Sequence, residues 1–440
     1  MARILVTCFG SLGDLYPYVA LAKILQSRGH DVAVGSSSIF QSQIEAEDIP
    51  FIHLRSSLDQ YTTPMMVREF LQRIFDPIKG GEIIIRELMA GIEATYSDTL
   101  KVVKGVDLVI SNPMAYCTPV ICREMNIPWL STALAPMFFL SVCEPPILSP
   151  APWLRKVHGF SPLLYRWLFK LIKSASKPWV KPLYKLCKDH QLPPPSGHPV
   201  FEGQYSPYGT LAMFPNCFAN AQDDWPVNTT MTGFPLLSTE IAEREELEKL
   251  QAFIDDGDAP IVFALGSSAV NIAGDFYEVS AAATRRLKQR AVLVYGQLDD
   301  QVKDIESGND LFIINYVAYD KLFPQARLIV HQGGIGTLAQ SMAALSPLLI
   351  VPFGFDQFDN GERVEKLGIG KSLPRRDYSV ENVTPVISEL LSQPHYRECA
   401  EATGKKIQAN DGAANACDIV QQVLDDQRFK QAIERGGNHG

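Results

Sequence analysis

Two short stretches of this 440-residue chain combine residue types and spacings that could do chemistry. The first is His331-Gln332-Gly333-Gly334-Ile335-Gly336-Thr337, which follows the apolar run Arg327 to Val330 and opens a helical pattern. Such a strand-to-helix turn gathers backbone N–H groups and the positive end of a helix dipole at one point, which suits an anion, most of all a diphosphate. Gly333, Gly334 and Gly336 leave clearance for a phosphate, Thr337 adds a hydroxyl in the first helical turn, and His331 can donate from the strand end. A second apolar run, Leu348 to Val351, leads into Pro352-Phe353-Gly354-Phe355-Asp356-Gln357. It sets a carboxylate and an amide at the carboxyl end of a strand, the edge where open α/β sheets bind ligands. A carboxylate and an amide beside a diphosphate are what the hydroxyls of a sugar require.

The second stretch is Gly10-Ser11-Leu12-Gly13-Asp14, between the first apolar run and the first helical pattern. Asp14 is placed to take a proton at a strand end, and it could also cap the helix expected to begin at Tyr16. Proton transfer is the preferred reading, and one carboxylate can do both. The remaining DxD arrangement, Asp256-Gly257-Asp258, precedes a strand without other ligands nearby and reads as a solvated turn, not a metal site.

The elements that must position these residues follow a regular rhythm. Apolar runs at Arg3 to Cys8, Asp31 to Gly35, Phe51 to Leu54, Leu108 to Ser111 and Trp129 to Ala133 alternate with helical patterns at Tyr16 to Arg28, Ile39 to Ala46 and Pro119 to Met125. The rhythm restarts after residue 250, with runs at Ile261 to Leu265, Ala291 to Tyr295, Leu311 to Asn315, Leu328 to Val330 and Leu348 to Val351. Alternation of this kind predicts parallel sheets covered by helices on both faces. The length suits two domains of about 200 residues. The expected division is 1–235, an acidic linker 236–250, 251–412, and a last helix near Ala413 to Gln431 within 413–440.

Composition narrows the function classes. A net charge of −9 argues against nucleic acid as a partner, because phosphate backbones need a basic surface. The eight cysteines are scattered with no CxxC pair, which fits reduced thiols in a cytoplasmic protein. The uncharged stretch Met125 to Cys143 is interrupted by Pro128 and Pro136, so a buried strand and a pocket loop are expected there, not a membrane span. Residues 151–188 hold nine Lys or Arg and no acid, interleaved with aromatic residues. The preferred reading is a helical hairpin whose aromatics line a pocket while its lysines face water. The second is peripheral contact with an anionic bilayer.

The segment from His331 to Gln357, together with Gly10 to Ala22, resembles the inverting UDP-glycosyltransferase superfamily with the GT-B fold. The branch it resembles includes sterol glucosyltransferases and bacterial natural-product glycosyltransferases. The resemblance implies two Rossmann-like domains facing an interdomain cleft, with the last helix packing back on the first domain. It implies transfer of a hexose, glucose first, from a UDP-sugar to a hydroxyl of a lipophilic molecule, with Asp14 as general base. It assigns the nucleotide-sugar donor to Ser267, Tyr316, Val317, His331, Gly333, Gly334, Gly336, Thr337, Asp356 and Gln357, with Tyr316 and Val317 at the nucleobase. The acceptor falls to Ser11, Leu12, Met137 and Phe138, and no metal or other cofactor is required. Two positions depart from plant relatives. Asn112 stands where an Asp orients their histidine base, and Gln340 stands where a Glu often meets the ribose, which leaves dTDP as a second donor. A GT-B epimerase and a non-catalytic nucleotide-sugar sensor are the alternatives. A nicotinamide-dependent oxidoreductase is disfavoured because Cys8 to Gly13 breaks GxGxxG.

Overall fold

The protein is described by a computed structural model covering residues 1–151, 162–238, 244–296 and 301–426. Its N-terminal half is built on strands β1 (Arg3–Thr7), β2 (Asp31–Ser36), β3 (Phe51–His53), β4 (Leu108–Ser111), β5 (Trp129–Ala133), β6 (Thr210–Ala212) and β7 (Thr229–Met231). All pair in parallel, in the order β3-β2-β1-β4-β5-β6-β7. The C-terminal half holds β8 (Ile261–Ala264), β9 (Ala291–Val294), β10 (Leu311–Ile314), β11 (Leu328–His331), β12 (Leu348–Ile350) and β13 (Gly370–Ser372). This second parallel sheet has the order β10-β9-β8-β11-β12-β13. Strands such as Ile261–Ala264 and Trp129–Ala133 are buried along their whole length, as expected of strands covered on both faces.

In each sheet the strand order reverses once, between β1 and β4 and between β8 and β11, which opens a crevice at the carboxyl ends of those strands. Asp14 follows β1, Ser267 follows β8 and His331 ends β11, so topology alone brings the three stretches to the reversal points. The uncharged stretch 125–143 forms β5 and a tight turn at Pro136–Phe139. No described helix is long and apolar enough to cross a membrane.

The first helix starts at Leu12, not Tyr16, and runs Leu12–Ser27. Ser11 is its N-cap and Asp14 lies in its first turn, so the capping group is a box closed by Asp14 instead of a residue outside the helix. The acidic helix that follows the turn of the linker is Arg244–Asp255; it buries Leu250 and Ile254 in a core that also holds Phe214 and Val262. The helix Gly412–Asp425 lies against Leu12–Ser27. Arg28 pairs with Asp418 at 2.8 Å, the Cys417 thiol donates to the Leu21 carbonyl, and Ala416 and Val420 join the core around Leu15 and Val19. A second tie comes from the loop after Phe139. Glu144 and Asp359 both hold the buried Arg363, at 3.1 and 2.8 Å, and Asp359 also accepts from the backbone N–H of Ile147.

Candidate active site

Asp14 is half-buried at the carboxyl end of β1. Its Oδ2 accepts from the Ser11 backbone N–H at 2.7 Å and from the Ser11 hydroxyl at 2.8 Å, while Oδ1 has no partner among the described residues. Burial raises its pKa, and the two Ser11 hydrogen bonds only partly offset that. A carboxylate held by one oxygen with the other open, and made more basic by desolvation, is suited to accept a proton. Asn112 does not reach it. The Asn112 amide donates to Tyr18 Oη and its Oδ1 accepts from the Met114 N–H.

Across the cleft, Asp356 is close enough for the charge of Asp14 to raise its pKa further. Burial is the larger cause, and together with a hydrogen bond from Asn360 that acts the other way it leaves Asp356 pushed up to about 7. Gln357 Oε1 accepts from the N–H groups of Phe353 and Gly354, which leaves its Nε2 unpaired among the described residues and able to donate. The turn before Asp356 is held from the opposite half by Phe75, whose ring meets Phe355 edge-on at 5.2 Å.

The elevated Asp356 pKa carries a stability consequence. An ordinary Asp titrates near about 4, so between about pH 4 and pH 7 the folded chain binds a proton that the unfolded chain has released, and stability falls as pH rises. Asp356→Asn keeps an acceptor for Asn360 and removes that loss. After discounting for partial exposure, the variant should melt later than the parent by about 1–2 kcal/mol near pH 8, with the difference vanishing near pH 4. Parallel melting-versus-pH curves for the two proteins would contradict this.

The glycine-rich turn works differently from its sequence reading. Gly333 has φ of +85°, and a Cβ there would lie 2.5 Å from Ile350, so only glycine fits the turn. His331 was expected to donate to the anion, but its ring is wholly buried and both nitrogens are engaged. Nδ1 accepts from the Gly333 N–H at 3.0 Å. Nε2 therefore carries the hydrogen and donates to Ser341 Oγ at 3.0 Å, which passes its own hydrogen to the Leu338 carbonyl. Burial pushes its pKa down to about 3, so the ring is neutral and braces the turn. Gly336 was read as clearance for a phosphate; it faces the other half of the chain, where a Cβ would come within 3.0 Å of Gly13 Cα. Gly334 is the N-cap of the helix Ile335–Ala343, whose first N–H groups have no acceptor within the helix itself. Thr337 accepts from Gln332 Nε2, and its hydroxyl hydrogen has no acceptor among the described residues.

Ser267 lies exposed at the end of β8. Tyr316, after β10, is 37% exposed and shares a hydroxyl–hydroxyl hydrogen bond with Tyr16 of the first half. The Val317 side chain turns away from the cleft into a cavity of about 350 Å³ beside the helix Arg244–Asp255, which shares no lining residue with Asp14 or Asp356. Gln340 donates to the Leu237 carbonyl, anchoring the interdomain segment. Leu12, Phe138 and Ile335 are partly buried around one core, and Met137 is partly buried beside them. A cavity of about 10 Å³ near Gly10 is lined by Phe9, Ser56, Leu88, Ile92, Thr95, Met114 and Tyr116. It has room for about one water, and none of the expected acceptor residues or the aromatics of 162–184 lines it. Asp256 and Asp258 are exposed in a turn.

Two residues that the sequence reading passed over hold the site together. Gln332 Oε1 accepts from the Gly266 N–H while its amide reaches Thr337, joining the end of β8 to the glycine-rich turn. Asn360, fully buried, donates to the Gly333 carbonyl at 2.9 Å and to Asp356 Oδ2 at 2.7 Å, locking that carboxylate to the same turn. The i, i+4 spacing from Asp356 on a helix was the available signal for Asn360.

Comparison with known proteins agrees with this architecture. Residues 4–143 match the family described as the glycosyltransferase family 28 N-terminal domain, and residues 296–426 match the erythromycin biosynthesis protein CIII-like C-terminal domain. A sterol 3-beta-glucosyltransferase of Arabidopsis thaliana is 28% identical over 94% of this chain, which spans 64% of that protein's length. The O-mycaminosyltylonolide 6-deoxyallosyltransferase of Streptomyces fradiae is 25% identical, with 96% of this chain and 97% of that one covered. The calicheamicin glycosyltransferase CalG4 shares the fold, with a TM-score of 0.68 at 18% identity over 96% of this chain and 98% of that one. With a glycosyltransferase family 28 N-terminal domain, an erythromycin biosynthesis protein CIII-like C-terminal domain and a GT-B architecture throughout, the chain is similar to the sterol and natural-product glycosyltransferases of the UDP-glycosyltransferase superfamily.

Proposed function

We propose that the protein is an inverting glycosyltransferase moving a hexose, glucose in the leading reading, from UDP to a hydroxyl of a lipophilic small molecule or lipid. The observation that carries this reading is a pair of carboxylates brought from opposite halves within electrostatic reach of each other, Asp14 after β1 and Asp356 after β12. In a single displacement the acceptor oxygen attacks the anomeric carbon from the side away from the nucleotide, and its proton passes to the open Oδ1 of Asp14. The C–O bond to the diphosphate breaks as the new bond forms. Charge developing on the leaving diphosphate meets the N–H groups opening the helix Ile335–Ala343 and the hydroxyls of Thr337 and Ser267. These groups serve the leaving diphosphate without a metal ion. Asp356 and the Gln357 Nε2 hold the sugar hydroxyls, and the exposed Tyr316 ring offers a stacking face to the base.

The glycosyltransferases among the relatives, a sterol 3-beta-glucosyltransferase and a 6-deoxyallosyltransferase by name, favour transfer over epimerisation. A dTDP-linked deoxysugar is the second donor reading; the Streptomyces relative's name supports the deoxysugar part of it.

A thermal-shift titration with UDP, dTDP and NAD tests the donor. Ligand at about 100 times its dissociation constant should stabilise the folded protein by roughly 2.7 kcal/mol. A shift with UDP alone, followed by transfer from UDP-glucose with inverted anomeric configuration in the product, is expected. A shift with dTDP alone moves the donor to deoxysugars, and a response only to NAD overturns the reading.

A further inference from the structure

The helix Pro162–Ser176 has two apolar faces where a surface helix ordinarily has one. Tyr165, Phe169 and Ser176 are buried on its inner face. Leu163, Leu164, Trp167 and Leu171 are 72%, 48%, 64% and 46% exposed. At 100° per residue these four fall within an arc of roughly 100° opposite the buried face. Arg166, Lys170, Lys173 and Lys177 border that arc along one side. Of the cations in this region, Lys173 pairs with Glu202 and Lys185 with Asp189. Arg166, Lys170, Lys177, Lys181 and Lys188 form no ion pair among the described residues. A chain of net charge −9 thus presents one strip that is both apolar and cationic.

We infer that the outer face of Pro162–Ser176 docks the protein on an anionic bilayer, with Leu163, Trp167 and Leu171 entering the acyl boundary and the flanking cations meeting lipid phosphates. Charge decides the occupant. A second copy meeting this face about a two-fold axis would bring the same cations against one another, which costs energy. An anionic membrane surface supplies the opposite charge and an apolar layer beneath it, and Trp at that depth presents an apolar ring with a polar N–H. The segment after this helix contributes Val180, Leu183 and Leu186 to the same core as Leu88 and Ile92, which line the cavity beside Gly10. The inference does not depend on the reaction the cleft performs, because docking is measured without substrate.

Sedimentation with phosphatidylcholine vesicles, with and without about 30% phosphatidylserine, is the test. The parent protein should partition onto the anionic vesicles and be released at about 0.5 M salt, where the Debye length shrinks to roughly 4 Å. Trp167→Glu with Leu171→Glu should lower the partition coefficient at least about tenfold, and Lys170→Glu with Lys177→Glu by at least about 25-fold, taking roughly fivefold per cation. Melting midpoints matching the parent's establish that both variants are folded. Binding of the variants equal to the parent's, or no binding of the parent to either vesicle, overturns the inference. So does a concentration-dependent dimer that Trp167→Glu with Leu171→Glu abolishes in the absence of vesicle binding, since the face would then belong to a second copy.

Discussion

An Asp14→Asn variant is expected to keep its fold and its nucleotide affinity while kcat falls by about 10²–10⁴, the usual contribution of a placed general base. The substitution is clean because of how Asp14 is held. Both of its hydrogen bonds come from Ser11 and end on one oxygen, so an Asn can present its carbonyl to the same donors and the first turn stays capped. What disappears is basicity. The effect should fall on kcat and leave the donor KM nearly unchanged, since the residues proposed to hold the diphosphate and sugar lie on the other half of the chain. The pH profile gives an independent readout. Activity of the parent should fall as pH drops through the Asp14 pKa, which burial places above the ordinary carboxylate range. The residual activity of the variant should lack that acid limb. Unchanged turnover would remove Asp14 from the role of base and return it to helix capping alone.

The second large effect is expected from Gly336→Val. A Cβ at this position would lie 3.0 Å from Gly13 Cα and 3.2 Å from the Gly13 carbonyl oxygen. Both are backbone atoms, so no side-chain rotation relieves the contact. Pro17, inside the first helix, has no N–H to bond the carbonyl four residues earlier, so that Gly13 carbonyl stays at the cleft. The two halves must therefore move apart. A misplacement of about 1 Å between reacting groups can cost roughly 100-fold, and a loss of kcat/KM of about that size or more is predicted. One buried cluster spans the two halves, but each also keeps one of its own, around Leu5 and Trp129 in the first and Phe263 and Tyr277 in the second, so the melting midpoint should move by only a few degrees. Gly13→Ala serves as the contrast. A Cβ at 13 meets nothing closer than 3.5 Å, so its effect should stay small. Equal losses from the two variants would mean that the close approach of Gly13 and Gly336 is not what positions the reacting groups.

Much of the fold was legible because it is written in local runs. Leu108 to Ser111 and Trp129 to Ala133 were bounded to the residue, since turns flank short uncharged stretches there. Thr210–Ala212, Thr229–Met231 and Gly370–Ser372 were not anticipated. Each is three residues long, and pairing with a neighbouring strand, not an apolar run of its own, makes it a strand. The start of the first helix was misjudged because Tyr16-Pro17 reads as a helix beginning, while the Ser11–Asp14 box had already nucleated it four residues earlier.

The sequence by itself determined the fold class and the glycine-rich turn, and it set Asp14, Asp356 and Gln357 at the ends of strands. Strand-turn-helix patterns are short-range, and a carboxylate at a strand end can be recognised from its neighbours. Only the tertiary structure decided that Asp14 comes within electrostatic reach of Asp356, that Gly336 abuts Gly13, and that Asn360 locks Asp356 to the Gly333 turn. It also turned His331 inward as a brace and left Trp167 outward on a cationic face. Those relations join residues set together by sheet order and helix packing. Local spacing says which side chains reach a strand end, while the packing of one half against the other says what they meet there.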